Sequence, residues 1–212
     1  MAENVKRRTY DSSGRRAEAR RTRASIVASA VALFAEHGYR STTMEAIAQH
    51  AGVAVQTVYA TFGTKAGVVA AVRDDHLTGD DEPLPVIDRS WYLDMLADPT
   101  LDGRLAKLAA GVTGIHRRTA FVNRLMRDGA AIDPELARLC HLEHQQRRQS
   151  LAPIAASVAD DLPGWDAEEL LDTIWSLVSP ELHHLLVAER RWTTPHYQRW
   201  LTGTLSAVIR PR

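Results

Sequence analysis

One cysteine, Cys140, stands in 212 residues, so no disulfide can close within the chain, and a reducing compartment suits it. Nowhere do eighteen apolar residues follow one another. The basic N-terminus is not followed by the apolar stretch that would lead a secreted protein. Neither a membrane span nor an export signal is expected, and the chain reads as cytoplasmic with no membrane partner. Signatures of chemistry are missing as well. There is no GxxxxGK[ST] phosphate loop, no GxGxxG, no GxSxG elbow, no HExxH and no CxxC. No spacing of acidic residues singles out a catalytic pair, so no catalytic residue and no cofactor is expected. His141, Glu143 and His144 share one helical stretch and His183 and His184 are adjacent, but nine histidines produce such pairs by chance, and no metal site is expected.

Net charge is absent too: 26 Lys and Arg balance 26 Asp and Glu, which taken alone argues against nucleic acid. The distribution says more. Up to Asp75 eleven Lys/Arg face seven Asp/Glu, a balance of +4, and the remainder carries −4. Most of the excess is in Lys6, Arg7, Arg8, Arg15, Arg16, Arg20, Arg21 and Arg23. Such an arm suits phosphate neutralisation or entry into a minor groove; the plainer alternative is a solubilising tail.

What the chain does have is concentrated between Thr42 and Lys65, TTMEAIAQHAGVAVQTVYATFGTK. Thr42 with Glu45 forms a capping-box pattern, and Met44, Ile47, Ala48 and Ala51 follow at helical spacing. Gly52 supplies a sharp turn. A second short helix opens at Ala54, with Val58 and Phe62 on one face. Two helices this short are not stable alone. A preceding helix ending near Gly38, with Ile26, Ala30, Leu33 and Phe34 along one stripe, offers them a surface. The layout is a helix-turn-helix, which places one short helix in the major groove of DNA.

The run from Ile26 to Val68 resembles the N-terminal signature of TetR-type transcriptional regulators. It shares Leu33-Phe34, Gly38-Tyr39, Thr42-Thr43, Ile47-Ala48, Ala51 to Val53, Thr57 to Tyr59, Phe62 and Lys65. The likeness spans roughly residues 20 to 75. It implies a DNA surface made of Thr42, Thr43, Ala54, Val55, Gln56, Thr57, Tyr59, Ala60, Thr61 and Lys65. In that reading Thr42, Thr43, Tyr59 and Lys65 meet phosphates. Ala54 to Thr57 face the groove floor, Gln56 pairs with adenine, and Val55 and Ala60 touch thymine methyls. The recognition helix departs from the family in carrying no basic residue, which leaves it fewer charged contacts.

Beyond Asp75 the chain stays helical. Helices are expected over Trp91 to Leu96, Leu101 to Arg118, a short one with Phe121, Leu125 and Met126, and a long one opened by Asp133-Pro134. Asp166 with Glu169 caps another, Pro180 interrupts it, and Thr194-Pro195 starts the last. The expected fold is all-α: a basic arm (1–19), a three-helix DNA-binding domain (20–78) and a helical domain for effector binding and dimerisation (79–212). Gly79 to Pro83 would be the junction. The resemblance implies a homodimer through the last two helical segments, about 166–188 and 194–209, reading a near-palindromic operator on double-stranded DNA. It also implies a repressor released by a small-molecule effector, in a cavity near Trp91, Met95, His116, Phe121, Leu125 and Trp175. The rival readings are a helical carrier protein, or a helical enzyme using its histidines.

Overall fold

The computed structural model describes residues 12–78, 85–159, 161–162 and 164–209. Ten α-helices and no strand occur among them. By internal contacts the chain divides into two compact units, Met1–Val72 and Arg73–Arg212. The expected junction at Gly79 to Pro83 lies outside the described residues, as do Lys6, Arg7 and Arg8 of the arm. From Ser12 onward the expected arm is helix.

The first unit holds α1 (Ser12–Ser41), α2 (Met44–Ala51), α3 (Val55–Phe62) and the start of α4 (Lys65–Thr78). The backbone of α1 leaves helical geometry at Gly38 (φ 72°, ψ 177°), where the sequence places its end. Ile26, Ala30 and Phe34 of α1 are buried with Ile47 of α2, Val58 of α3 and Val68, Val69 and Val72 of α4. Burying one such aliphatic side chain is worth about 1.5–3 kcal/mol. That shared core is what allows two eight-residue helices to persist, since neither is long enough to be stable in water.

In the second unit, α5 (Ser90–Leu96) follows a single 3-10 turn at Val86–Asp88. Then come α6 (Leu101–Ala130), α7 (Pro134–Ala159), α8 (Ala167–Leu177), α9 (Pro180–His183) and α10 (Thr194–Val208). The caps follow the sequence closely. Asp133 Oδ1 accepts from the N–H groups of Glu135 and Leu136, and Asp166 Oδ1 from those of Glu168 and Glu169. Pro180 interrupts the helical pattern as expected: α8 stops at Leu177, and Ser179 caps the next helix through the N–H of Leu182.

Two features depart from expectation. The separate helix expected around Phe121 is the continuation of α6, which runs unbroken for 30 residues. Gly111 and Gly114 weaken helix propensity, but burial of Leu105, Leu108, Val112, Val122, Leu125 and Met126 along one side outweighs that cost. The last helix does start at Thr194-Pro195 as expected, capped by Thr193, whose hydroxyl accepts from His196 N–H at 3.3 Å. After α9 the chain takes a π-helical turn over His184–Glu189, closed by Arg190 N–H on the Leu185 carbonyl at 3.1 Å.

The core of this unit joins Leu105, Leu108 and Val112 of α6 to Leu151 and Ile154 of α7, Leu170 and Ile174 of α8, and Tyr197, Leu201 and Leu205 of α10. Two contacts seat α5 on it. The Tyr92 hydroxyl donates to the Ser150 carbonyl at 2.6 Å, and the Trp91 indole lies flat on α6 where Gly111 offers no side chain. A Cβ at Gly111 would stand 2.3 Å from the Trp91 ring. Gly111→Ala is therefore expected to displace the indole and lower unfolding free energy by about 1–3 kcal/mol, read from urea denaturation. An unchanged midpoint would mean that Trp91 packing does not hold α5.

Candidate nucleic-acid interface

The turn between α2 and α3 is built by backbone chemistry. Gly52 sits in the left-handed region (φ 68°, ψ 31°). Its N–H reaches the Gln49 carbonyl at 3.2 Å, while Val53 N–H reaches Ala48 at 3.0 Å. This paired closure satisfies the end of α2 and turns the chain within two residues; a residue with a Cβ would be strained there. Ala54 then caps α3 with its carbonyl alone, accepting from Thr57 N–H at 2.9 Å.

Val58 is fully buried on the inner side of α3. On the opposite side Gln56, Tyr59 and Ala60, spaced i, i+3 and i+4, form one exposed face, with Ala54 before them and Thr61 after. Tyr59 is 46% exposed, which rules out a packed core aromatic. The Thr61 hydroxyl donates to the Thr57 carbonyl at 2.7 Å. Val55 and Thr57 are half-buried flanks of the same helix, and Thr43 is exposed at the start of α2. Thr43, Ala54, Gln56, Tyr59, Ala60 and Thr61 are therefore the exposed side chains of the expected surface.

Two members of the expected surface face elsewhere. Thr42 is 1% exposed, and its hydroxyl lies 2.8 Å from the Gly38 carbonyl and 3.2 Å from that of Leu33. Its side chain serves the end of α1, so it neither caps α2 nor reaches a phosphate. The cap is Thr43, whose hydroxyl accepts from Ala46 N–H at 3.1 Å. Lys65 is half-buried, and its ammonium donates to the carbonyls of Tyr39 (2.8 Å) and Thr42 (2.9 Å) and stands 4.1 Å from the Tyr39 ring centre. It acts as a bracket across the α1–α2 corner rather than a free phosphate ligand. Sequence reasoning also missed Arg23, whose guanidinium covers the Phe62 ring at 4.8 Å. Its place in a basic run disguised a packing role.

The second unit contains a cavity of about 770 Å³. Its lining includes Trp91, Leu108, Val112 and Ile154 together with Asn123, Glu143 and Arg147. Of the six expected effector contacts, Trp91 and His116 line it. Met95, Phe121, Leu125 and Trp175 do not: Met95 and Leu125 are buried in the core, Phe121 rests against His76, and Trp175 lies beneath Arg147 at 4.3 Å. His116 is 4% exposed; burial first, and the nearby His183 second, hold it down at about 3. It is therefore neutral near pH 7, with Nε2 3.0 Å from the Val178 carbonyl. Nε2 carries the proton and donates, which leaves Nδ1 as a buried acceptor with no protein partner. Burial likewise lowers His183, to about 4.

Among the described residues no three His, Cys, Asp or Glu converge as metal ligands; His141 pairs with Gln145 and His144 with Glu181. Nor is any described helix long and apolar enough to cross a membrane.

An exposed helix face following a two-residue turn gives the first compact unit the layout of a helix-turn-helix, and a helical unit with a cavity follows it. Residues 26–72 match the model of bacterial regulatory proteins of the tetR family. That match makes the N-terminal segment a TetR-type helix-turn-helix. Its fold is shared with solved structures. A protein from Mesorhizobium loti described as a TetR-family transcriptional regulator is 21% identical with a TM-score of 0.67, over 89% of this chain and 95% of that one. MexZ, a repressor from Pseudomonas aeruginosa responsible for antibiotic resistance, is 25% identical with a TM-score of 0.59, over 89% and 95%. SmeT, solved with triclosan, is 20% identical with a TM-score of 0.63, over 89% and 91%. No curated protein sequence matches the chain.

Two expectations follow. Lys65→Met strands two carbonyls and should destabilise the first unit by about 1–3 kcal/mol in chemical denaturation, whereas exposed Gln56→Ala should stay within about 0.5 kcal/mol. Equal effects would remove Lys65 from its bracketing role. For pH, the folded protein holds His116 neutral while the unfolded chain protonates near 6.5, so the unfolded state binds more protons between about 3 and 6.5. Stability is complete above that window and falls as pH drops through it. His116→Gln should flatten the decline of the urea midpoint between pH 7 and 5, leaving the share due to His183; an unaltered slope would contradict a buried neutral imidazole.

Proposed function

We propose that this protein represses transcription by binding a near-palindromic operator as a homodimer, and that a small-molecule effector in the body cavity releases it. The observation that carries the reading is the exposed Gln56–Tyr59–Ala60 face of α3, presented on a helix that the Gly52 turn projects and Val58 anchors. A glutamine amide can donate to and accept from adenine in the major groove, while Ala60 and Val55 suit thymine methyls. Thr43 and Tyr59 sit where hydroxyls can position the protein on phosphates without reading sequence. Arg15, Arg16, Arg20 and Arg21 are exposed on the first turns of α1 and offer further phosphate neutralisation.

One such face grips DNA weakly, so two are needed about one helical turn apart, roughly 34 Å. We assign the pairing to segments 166–188 and 194–209, where Leu185 and Val208 are exposed. The domains are then the arm (1–19), the DNA-binding domain (20–78) and the effector and dimerisation domain (79–212), in the cytoplasm. SmeT was solved in complex with triclosan. That precedent supports a ligand for the cavity here. Such a ligand acts through differential affinity for two arrangements of the dimer, and emptying the operator takes about 5.5 kcal/mol.

Selection from a random duplex library should enrich one near-palindrome, with affinity falling steeply as salt rises. Gln56→Ala should relax preference at one base position in each half-site by about 1–3 kcal/mol. A library that enriches nothing would end the regulator reading.

A further inference from the structure

The cavity is lined by both long helices. Helices α6 and α7 are joined by the three residues Ala131 to Asp133, so they run antiparallel. The N-terminal half of α6, with Leu108 and Val112, therefore faces the C-terminal half of α7, with Leu151 and Ile154. The C-terminal half of α6, with Thr119 and Asn123, faces the N-terminal half of α7, with Cys140 and Glu143, while Arg147 lies at the middle of α7. Trp91, Val112 and Ile154 give the chamber a hydrocarbon wall, and Arg147 lines it from there.

Arg147 has a carboxylate in its surroundings, Glu181, which favours its charged form from beyond ion-pair distance. Arg73 is paired with Glu143, and His144 stands 3.5 Å from Glu181. Arg147 makes no ion pair among the described residues. One guanidinium nitrogen, Nη1, donates to the Trp175 carbonyl at 2.6 Å, while Nε and Nη2 are buried with no hydrogen-bond partner. Nε and Nη2 share one edge of the guanidinium, the edge that takes both oxygens of a carboxylate side-on. The Trp175 ring fixes the plane of the group from below. Burial lowers the side chain to about 10 against the opposing pull of Glu181, so it stays a cation at neutral pH, and the cost of burying the unbonded guanidinium edge falls when a further anion meets it.

We infer that the cavity takes an apolar monocarboxylate, its carboxylate held side-on by Arg147 and its hydrocarbon body lying between Trp91, Val112 and Ile154. This rests on the reading of the cavity as the effector site, and adds the chemical class that site selects.

The test is calorimetric titration of the full chain with octanoate, decanoate, dodecanoate and 4-butylbenzoate, each beside its methyl ester. At least one acid should bind ten times more tightly than its ester. Arg147→Met should erase that preference while leaving ester affinity within threefold; Arg147→Lys, which keeps the charge but not the paired edge, should retain part of it. Equal binding of acid and ester, a preference that survives Arg147→Met, or no binding by any acid overturns the inference. The same ligands added to the protein on its operator separate the two claims. An acid that binds through Arg147 yet leaves DNA bound overturns the effector reading and leaves this one standing. An ester that releases DNA as well as its acid does the reverse.

Discussion

Order at the DNA-reading end depends on how the carbonyls at the end of α1 are satisfied. A helix that stops leaves acceptors unpaired, and burying them bare costs about 1–3 kcal/mol each. Here α1 breaks at Gly38, and two polar side chains attend to the exposed acceptors. The Thr42 hydroxyl serves Gly38 and Leu33, and the Lys65 ammonium serves Tyr39 and Thr42. Because Lys65 opens α4, one cation ties the start of that helix to the corner between α1 and α2. The placement of α2 determines the direction of α3 through the Gly52 turn, so the outward face of Gln56, Tyr59 and Ala60 is inherited from a corner that touches none of them.

The larger unit solves a different problem. A 30-residue and a 26-residue helix pack against each other, yet they leave a chamber open along part of their length. The walls are braced at intervals by polar contacts: Tyr92 on Ser150, Arg73 on Glu143, and Arg104 on Asp161 with a second bond to the Asp98 carbonyl at 2.9 Å. Close packing elsewhere, with Tyr197, Leu201 and Leu205 fully buried, holds the frame while the chamber stays empty of side chains.

Most of the helices were legible because periodicity and caps agree. Asp133-Pro134, Asp166 and Pro180 each announce a boundary by chemistry local to the chain. The errors fall where a choice between neighbours is decided by burial. Thr42 and Thr43 are equally good caps on paper, and only the inward position of the first leaves the cap to the second. Lys65 reads as a surface cation because charge is visible in a sequence, whereas the carbonyls it serves are distant along it; Arg23 is exposed as it reads, yet the Phe62 ring it covers is equally distant. The cavity is the extreme case. Met95 and Leu125 lie on apolar stripes as surely as Val112 does, and spacing says which side of a helix is apolar without saying where its neighbours fail to meet. The π-helical turn at His184–Glu189 left no sign in the pattern, since it is produced by how the ends of the segment are held.

The recognition helix is fastened unequally. Its final turn is closed by Gly63 N–H on the Tyr59 carbonyl at 2.8 Å and Thr64 N–H on Phe62 at 2.8 Å, while its first turn has no side-chain cap. The amides that a capping side chain would occupy are those nearest the surface a phosphate would approach. Local opening is cheapest where such bonds are fewest, so deuterium should enter the leading amides of this helix before the trailing ones. A partner with acceptor oxygens would thus supply the missing closure and finish folding the element that reads it.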